Sequence, residues 1–378
     1  MLRVKGLAGM VPLACQASTR PLSYPAYLNA VGAATPPNQV HQAFIGWARD
    51  RIPDPRLQKL FDRMASRSGI ERRWSVLTPS AVDHAEVDAS EFYNMANWPG
   101  TAARMRTYVE HAPEVSLAAI DRLAEKVPLT GVTHLVVASC TGFVAPGIDQ
   151  IIARRLGLPP STERLLVGFM GCYAAIVALR SARHIVRSEP KARVLVVCVE
   201  LCTLHLQDTP EVERLLAMLQ FGDGAAAALV TGDAAGFAID QPFATTLPDS
   251  ADLIRWDITD EGFAMHLSGA VPQRIAAGLA DKGFARAATG GRDARDIDAW
   301  AVHAGGRSIL DAVETAYDLP PDALQHSRGV LNDHGNMSSA TLMFVLQRML
   351  ADRPVRHGVA LAFGPGLAAE GLGFHSAQ

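Results

Sequence analysis

The chain has 378 residues, 49% of them hydrophobic and 19% charged, which supplies a large core and excludes global disorder. Its 35 Lys and Arg against 38 Asp and Glu leave a net charge of -3 with no block of one sign, unlike the concentrated basic face of a nucleic-acid binder. No apolar run reaches the ~18 residues of a membrane span, and the scattered cysteines (15, 140, 172, 198 and 202) include no CxxC pair, which argues against a disulfide framework or zinc site and for a cytoplasmic protein.

In chain order, Met1–Ser18 places Arg3 and Lys5 before a short apolar stretch that Pro12 interrupts. A secretory signal needs a cleaner apolar segment and a better cleavage site, and Pro12 weakens a lipoprotein reading of Cys15. Residues 1–23 are expected to be a flexible extension. Residues 38–75 and 80–125 carry charges beside an apolar stripe and predict mostly helix. From about residue 131, short Val/Leu-rich runs alternate with helical patterns, the texture of a layered α/β protein with buried strands.

That texture occurs twice. The first copy reads as a strand at Thr133–Ser139, a helix over 148–156, the run Leu165–Cys172, a helix to Arg187 and a strand at Arg193–Glu200. The second reads as a strand at Ala299–His303, a helix at Arg307–Tyr317, the run Gly335–Ser339, a helix to Leu350 and a strand at Gly358–Phe363. Ser139 precedes Cys172 by 33 residues and His303 precedes Asn336 by 33. Duplicated halves, residues 24–236 and 237–378, are therefore expected to pack face to face and bring Cys172, His303 and Asn336 to a shared centre.

Each of these residues has a chemistry suited to acyl transfer. Cys172 sits where an apolar strand turns into a helix, whose unpaired N–H groups and positive dipole end favour a thiolate. His303 leaves an apolar strand into Ala304-Gly305-Gly306 and could serve as the base for a thiol. Asn336 could donate a hydrogen bond to a carbonyl or enolate without titrating, although locally a helix cap explains it as well. Cys140, Cys198 and Cys202 read as structural thiols. The glycine-rich Phe221-Gly222-Asp223-Gly224 and Phe363-Gly364-Pro365-Gly366 fit no phosphate loop and read as tight turns, either plain or bordering the site. No histidine pair has metal-ligand spacing, and no metal is expected.

Together, Ala145-Pro146-Gly147, Phe169-Met170-Gly171-Cys172, Phe221–Ala226, His303–Gly306, Gly335–Ala340 and Gly364–Leu367 resemble, in order, the motifs of the type III polyketide synthases, the chalcone- and stilbene-synthase-like branch of the thiolase superfamily. The resemblance implies a thiolase-like duplicated five-layer αβαβα fold, a homodimer, and coenzyme A thioesters as substrates with no tightly bound cofactor. It makes Cys172 the nucleophile for an acyl starter, His303 the partner of its thiolate, and His303 with Asn336 the stabilisers of the enolate formed as malonyl-CoA loses carbon dioxide. Phe221 takes the place of an aromatic gatekeeper and Met265 that of the second. Cys202 and His205 replace threonines of the plant cavity, Trp256 replaces a glycine, and Ala145 replaces a methionine that reaches the partner's cavity. Cys140, Thr141, Ser338 and Pro365 would line the same cavity. Arg63, Arg67, Gly305, Gly306 and Ser308 would border coenzyme A.

Adaptable Met265 in place of an aromatic slot points to a fatty acyl starter and alkylpyrone or alkylresorcinol products. The alternatives are a malonyl-primed naphthalene or phloroglucinol former, and a β-ketoacyl-carrier-protein synthase III-like enzyme whose starter arrives on a carrier protein. A thiolase would need a second cysteine near the carboxyl end, and none follows Cys202.

Overall fold

A computed structural model describes residues 24–80, 88–94 and 96–378; the expected extension over 1–23 lies outside them. The first half runs β1 (Tyr27–Ala34), β2 (Asn38–Gln39), α1 (His41–Asp50), α2 (Pro55–Ser66), β3 (Trp74–Ser75) and α3 (Thr101–Ala124). It continues with β4 (His134–Ser139), α4 (Ile148–Arg155), β5 (Glu163–Gly168), α5 (Ala174–Ser188), β6 (Val194–Leu201), α6 (Val212–Met218) and β7 (Asp223–Thr231). The second half starts with β8 (Phe237–Thr246), the hairpin β9 (Ile254–Thr259) and β10 (Gly262–Leu267), α7 (Val271–Ala280) and α8 (Lys282–Ala287). It ends with β11 (Ala299–Val302), α9 (Arg307–Ala316), α10 (Gln325–His334), α11 (Ser339–Leu350), β12 (Gly358–Gly364) and β13 (Ala368–Ser376).

The strands order as β11-β12-β13-β8-β1-β7-β6-β4-β5. β1 and β8 share only the pairs Tyr27↔Ala238 and Leu28↔Phe237, so two sheets meet edge to edge there. The period-two alternation of a doubly covered strand assigns the layers. Val194, Val196 and Cys198 of β6 face a central core with α5 and α11, while Leu195, Val197 and Val199 face an outer core with α1 to α3. In β12, Ala360 and Ala362 face the same central core, and Val359, Leu361 and Phe363 face an outer core with α7 and α9. The result is helix, sheet, helix, sheet, helix: an α/β fold of the thiolase type. α11 is buried from Ser339 through Leu346, as a helix between two sheets must be. Among the described residues no helix is long and apolar enough to cross a membrane.

The expectation of helix through 80–125 is corrected, while that of mostly helix over 38–75 agrees with α1 and α2. Among the described residues of the 80–125 segment, helix occupies only 101–124. Asp88 accepts hydrogen bonds from the N–H groups of Ser90, Phe92 and Tyr93 and from the Ser90 hydroxyl, a side-chain knot that competes with helix. In the 38–75 segment, α1 and α2 are separate helices flanked by the paired β2 and β3. The duplication is also imperfect, since α10 precedes the Asn336 turn where β5 precedes the Cys172 turn.

Candidate active site

Cys172 lies in the single turn Gly171–Tyr173 between β5 and α5. Gly171 has φ 72, and a Cβ there would meet Pro365 Cδ at 2.3 Å, so the turn admits only glycine. The Gly171 N–H donates to Cys140 Sγ at 2.9 Å, which ties the nucleophile turn to the end of β4. Burial pushes the Cys172 thiol up to about 11, and the Glu200 charge adds to this; hydrogen bonds with Ser338 and Asn336 pull it down. The helix start alone therefore does not make a thiolate.

His303 follows β11, is 2% exposed, and has no hydrogen-bond partner at either ring nitrogen among the described residues. Burial pushes its imidazole down to about 3. Burial thus opposes charge on both Cys172 and His303.

Asn336 hydrogen-bonds with the Cys172 thiol and with the loop that follows His303. Its Oδ1 accepts from the Ser338 N–H at 2.8 Å and the Thr341 hydroxyl at 3.4 Å, which turns Nδ2 toward Gly305 O at 3.3 Å. The cap of α11 is Ser338, at φ 44, so Asn336 stands outside the helix. Its backbone pairs with the Phe221 segment through Asn336 N to Gln220 O at 2.7 Å and Gly222 N to Asn336 O at 3.0 Å. Both glycine-rich runs border the site: a Cβ at Gly224 would meet Met337 Sδ at 2.4 Å, and one at Gly364 would meet the Tyr173 ring at 2.6 Å.

Sequence reasoning missed Glu200. One carboxylate oxygen accepts from Cys140 N at 2.9 Å and from the Thr141 hydroxyl at 2.8 Å. The other accepts from the Ser339 hydroxyl and, at 3.4 Å, its N–H. Burial raises this carboxyl to about 7. It straps the end of β4 to the start of α11, joining the halves behind Cys172. A glutamate at the end of an all-apolar strand was the available signal. Arg73 was missed as well; its guanidinium donates to Phe221 O at 2.6 Å and holds that side chain's backbone.

Cys140, Thr141, Phe169, Cys172, Cys202, Phe221, Trp256, Met265, Ser338 and Pro365 enclose a small chamber of about 30 Å³. A second, mostly apolar cavity of about 170 Å³ adjoins it and shares Cys202, Phe221, Trp256 and Met265 as a dividing wall. Val40, Phe44, Leu77, Tyr93 and Met218 line its body. Met265 and Trp256 are register partners across β9 and β10, and the indole N–H donates to Cys140 O at 2.8 Å. His205 stacks on Phe263 with ring centroids 4.2 Å apart. Its ring nitrogens are engaged by Thr141 O and the Phe263 N–H, and burial pushes it down to about 3, so it offers the cavity no charge.

The remaining predicted residues lie elsewhere. Ala145 is exposed and lines neither cavity of its own chain. Gly305 and Gly306 are buried. A Cβ at Gly306 would meet Gln220 Oε1 at 2.3 Å, and one at Gly305 would meet Ile309 Cδ1 at 3.1 Å. Arg63, Arg67 and Ser308 are exposed, with Arg63 in the last turn of α2 and Arg67 the residue that caps it.

Comparison with known proteins supplies a family. Residues 16–234 match the N-terminal domain of chalcone and stilbene synthases, and residues 239–378 the C-terminal domain. The alpha-pyrone synthesis polyketide synthase-like Pks18 of Mycobacterium tuberculosis is 31% identical over 367 residues, covering 92% of this chain and 91% of that protein. The same match is found for Pks18 of Mycobacterium bovis. Among solved structures, the C-terminal type III polyketide synthase domain of Steely1, a type I/III hybrid from Dictyostelium, superposes with TM-score 0.84 at 23% identity over 94% of this chain and 100% of that one. PKS-I from the brown alga Ectocarpus siliculosus gives 0.81 at 26% identity over 93% and 98%.

Proposed function

Since the chain belongs to the chalcone and stilbene synthase family and is a type III polyketide synthase, a decarboxylating condensing enzyme, we infer that it primes Cys172 with a fatty acyl group from coenzyme A and releases alkylpyrones. The observation that carries this reading is the mostly apolar cavity of about 170 Å³ beyond the wall of Cys202, Phe221, Trp256 and Met265, whose lining also includes Arg73, Asp88, Arg214, Arg255 and Asp257. Its apolar part gives an aliphatic tail a place to lie while the carbonyl stays at Cys172.

In this mechanism the Cys172 sulfur attacks the acyl carbonyl and His303 takes the thiol proton, then passes it to the departing coenzyme A sulfur. The next substrate, malonyl-CoA, loses carbon dioxide. The electron pair moves onto its thioester oxygen, where His303 and the Asn336 amide donate hydrogen bonds. The resulting carbanion carbon attacks the acyl group and expels the Cys172 thiolate, leaving a chain two carbons longer on coenzyme A. That product reloads Cys172, and an enol oxygen finally attacks the terminal thioester carbonyl to close the pyrone and release coenzyme A. Charge is met by side chains at each step, so no tightly bound cofactor is invoked. Arg63 and Arg67, exposed on one face of α2, suit the coenzyme A phosphates.

The reading includes a homodimer. β5 is the last strand of the sheet, with Leu165 and Leu166 exposed on it and Phe143 and Phe169 exposed beside it. An apolar, unpaired edge of this kind needs covering, and exposed Ala145 is near enough in sequence to Phe143 to share that face.

The test is incubation of the purified protein with malonyl-CoA, with and without lauroyl-CoA, and no carrier protein. An alkylpyrone that retains the lauroyl tail supports the reading. Aromatic products from malonyl-CoA alone, or condensation only when a carrier protein is added, would replace it with one of the two alternatives.

A further inference from the structure

α2 uses only part of its circumference to hold the fold together. Phe61 and Ala65 are buried in the outer core. Beside them, Gln58 donates to Arg49 O at 3.3 Å and to Ile52 O at 2.9 Å, and Asp62 pairs with Arg49 at 3.2 Å. These contacts fix α2 against the end of α1. Asp54 caps its start by accepting from the Arg56 N–H at 2.8 Å.

The rest of the circumference carries two kinds of side chain. At 3.6 residues per turn, Leu57, Leu60 and Met64 fall within about 60° of one another. Leu57 is 42% exposed and Met64 46%, with Leu60 half-buried between them. The adjoining arc, also about 60° wide, holds Arg56, Lys59 and Arg63. Arg67 caps the helix. All four cations are exposed, and none has an ion-pair partner among the described residues. The two carboxylates of the segment, Asp54 and Asp62, are already engaged by the cap and by Arg49.

A single exposed leucine needs no explanation. Three aliphatic side chains in line on one helix, flanked by unpaired cations and no free carboxylate, form the pattern of a helix that lies in a membrane interface. The aliphatic groups enter the acyl boundary, while the Arg and Lys stems reach back to the headgroup phosphates. Charge selects the kind of surface: this arc is cationic although the whole chain carries -3, so an anionic surface attracts it. Leu57, Leu60 and Met64 line neither cavity of the site. They offer a plain helix face without the pocket that anchors a partner protein's side chain, and fluid lipid needs no such pocket.

We propose that α2 docks this enzyme on an anionic lipid surface, with Leu57, Leu60 and Met64 inserted and Arg56 and Lys59 on the headgroup phosphates. Arg63 and Arg67, at the carboxyl end of the same helix, stay available for the coenzyme A phosphates. Docking would then hold the entrance for acyl-CoA at a surface where long acyl thioesters, themselves amphiphiles, collect, and where a product with a fatty tail can leave. The docking is argued from α2 alone and does not depend on which starter is used.

The test is cosedimentation of the full-length protein, without coenzyme A thioesters, with vesicles of phosphatidylcholine alone or of phosphatidylcholine and phosphatidylglycerol in equal parts. The expected result is binding to the anionic vesicles and not to the neutral ones, weakening as salt is raised. Leu57→Glu with Met64→Glu, and separately Arg56→Gln with Lys59→Gln, should each reduce that binding at least about tenfold. Both pairs are exposed and line neither cavity, so turnover of lauroyl-CoA without vesicles should stay at the parent rate. That control separates a failure of docking from a failure of the fatty acyl reading. No binding to anionic vesicles by the parent protein, or unchanged binding in either pair of substitutions, would overturn the proposal. A dimer that Leu57→Glu with Met64→Glu converts to a monomer would also overturn it, by assigning this face to a second copy of the chain.

Discussion

At Cys172 two influences oppose each other. Burial drives the thiol up to about 11, while Ser338 and Asn336 stabilise its charged form. With no base in reach, such a sulfur is nearly all protonated at neutral pH. His303→Ala should therefore slow acyl loading at pH 7 by roughly 10²–10⁴-fold. The sign with pH follows from the raised thiol: loading by the variant should recover as pH rises toward about 11, because the thiolate fraction grows. A loss that is flat with pH, followed by intact-protein mass, would mean that His303 does not take the proton. In Cys172→Ala the acyl adduct should vanish while malonyl-CoA decarboxylation persists, since His303 and Asn336 remain. An adduct on that variant would move the nucleophile elsewhere. The placement of Cys172 in a tight glycine turn and of His303 at a strand end was legible in the sequence. Glu200 was not, because its role depends on Ser339, a residue of the other half.

The β9–β10 hairpin sets the wall between the two cavities. Its register places Met265 directly opposite Trp256, and both side chains face the small chamber and the large cavity. Met265→Phe exchanges a flexible side chain for a rigid, broader one, so turnover of long starters should fall relative to short ones. A rate profile against chain length that is unchanged would show that the tail does not pass Met265. At this scale the duplicated strand and helix runs from residue 131 onward agree with the observed elements to within a residue or so. Buried β-branched runs and glycine turns write themselves into sequence. The segment before Thr101 was misread because Asp88 gathers local N–H groups that an apolar stripe alone would assign to helix. α10, in the place matching β5, also escaped notice, since duplication predicts position better than type.

For the whole molecule, the layered core and the unpaired β5 edge carry different weight. The layers follow from the period-two alternation of β6 and β12 between two cores; the family resemblance implied them, and the twofold pattern agreed with it. The exposed edge was not predictable, because Leu165 and Leu166 read as core residues until the strand order put β5 outermost. If a second copy covers that edge, Leu165→Lys with Leu166→Lys should convert a dimer to a monomer in sedimentation velocity. A parent protein that sediments as a monomer, or a doubly substituted one that stays dimeric, would place the contact elsewhere. The most direct measurement of the central claim is the product profile by mass spectrometry from malonyl-CoA and a starter series running from acetyl- to stearoyl-CoA, with coumaroyl-CoA as a control. The cavity behind Phe221, Trp256 and Met265 predicts pyrones that keep a fatty tail and a rate maximum at a medium or long chain. A maximum at acetyl-CoA, or preference for the coumaroyl starter, would contradict it.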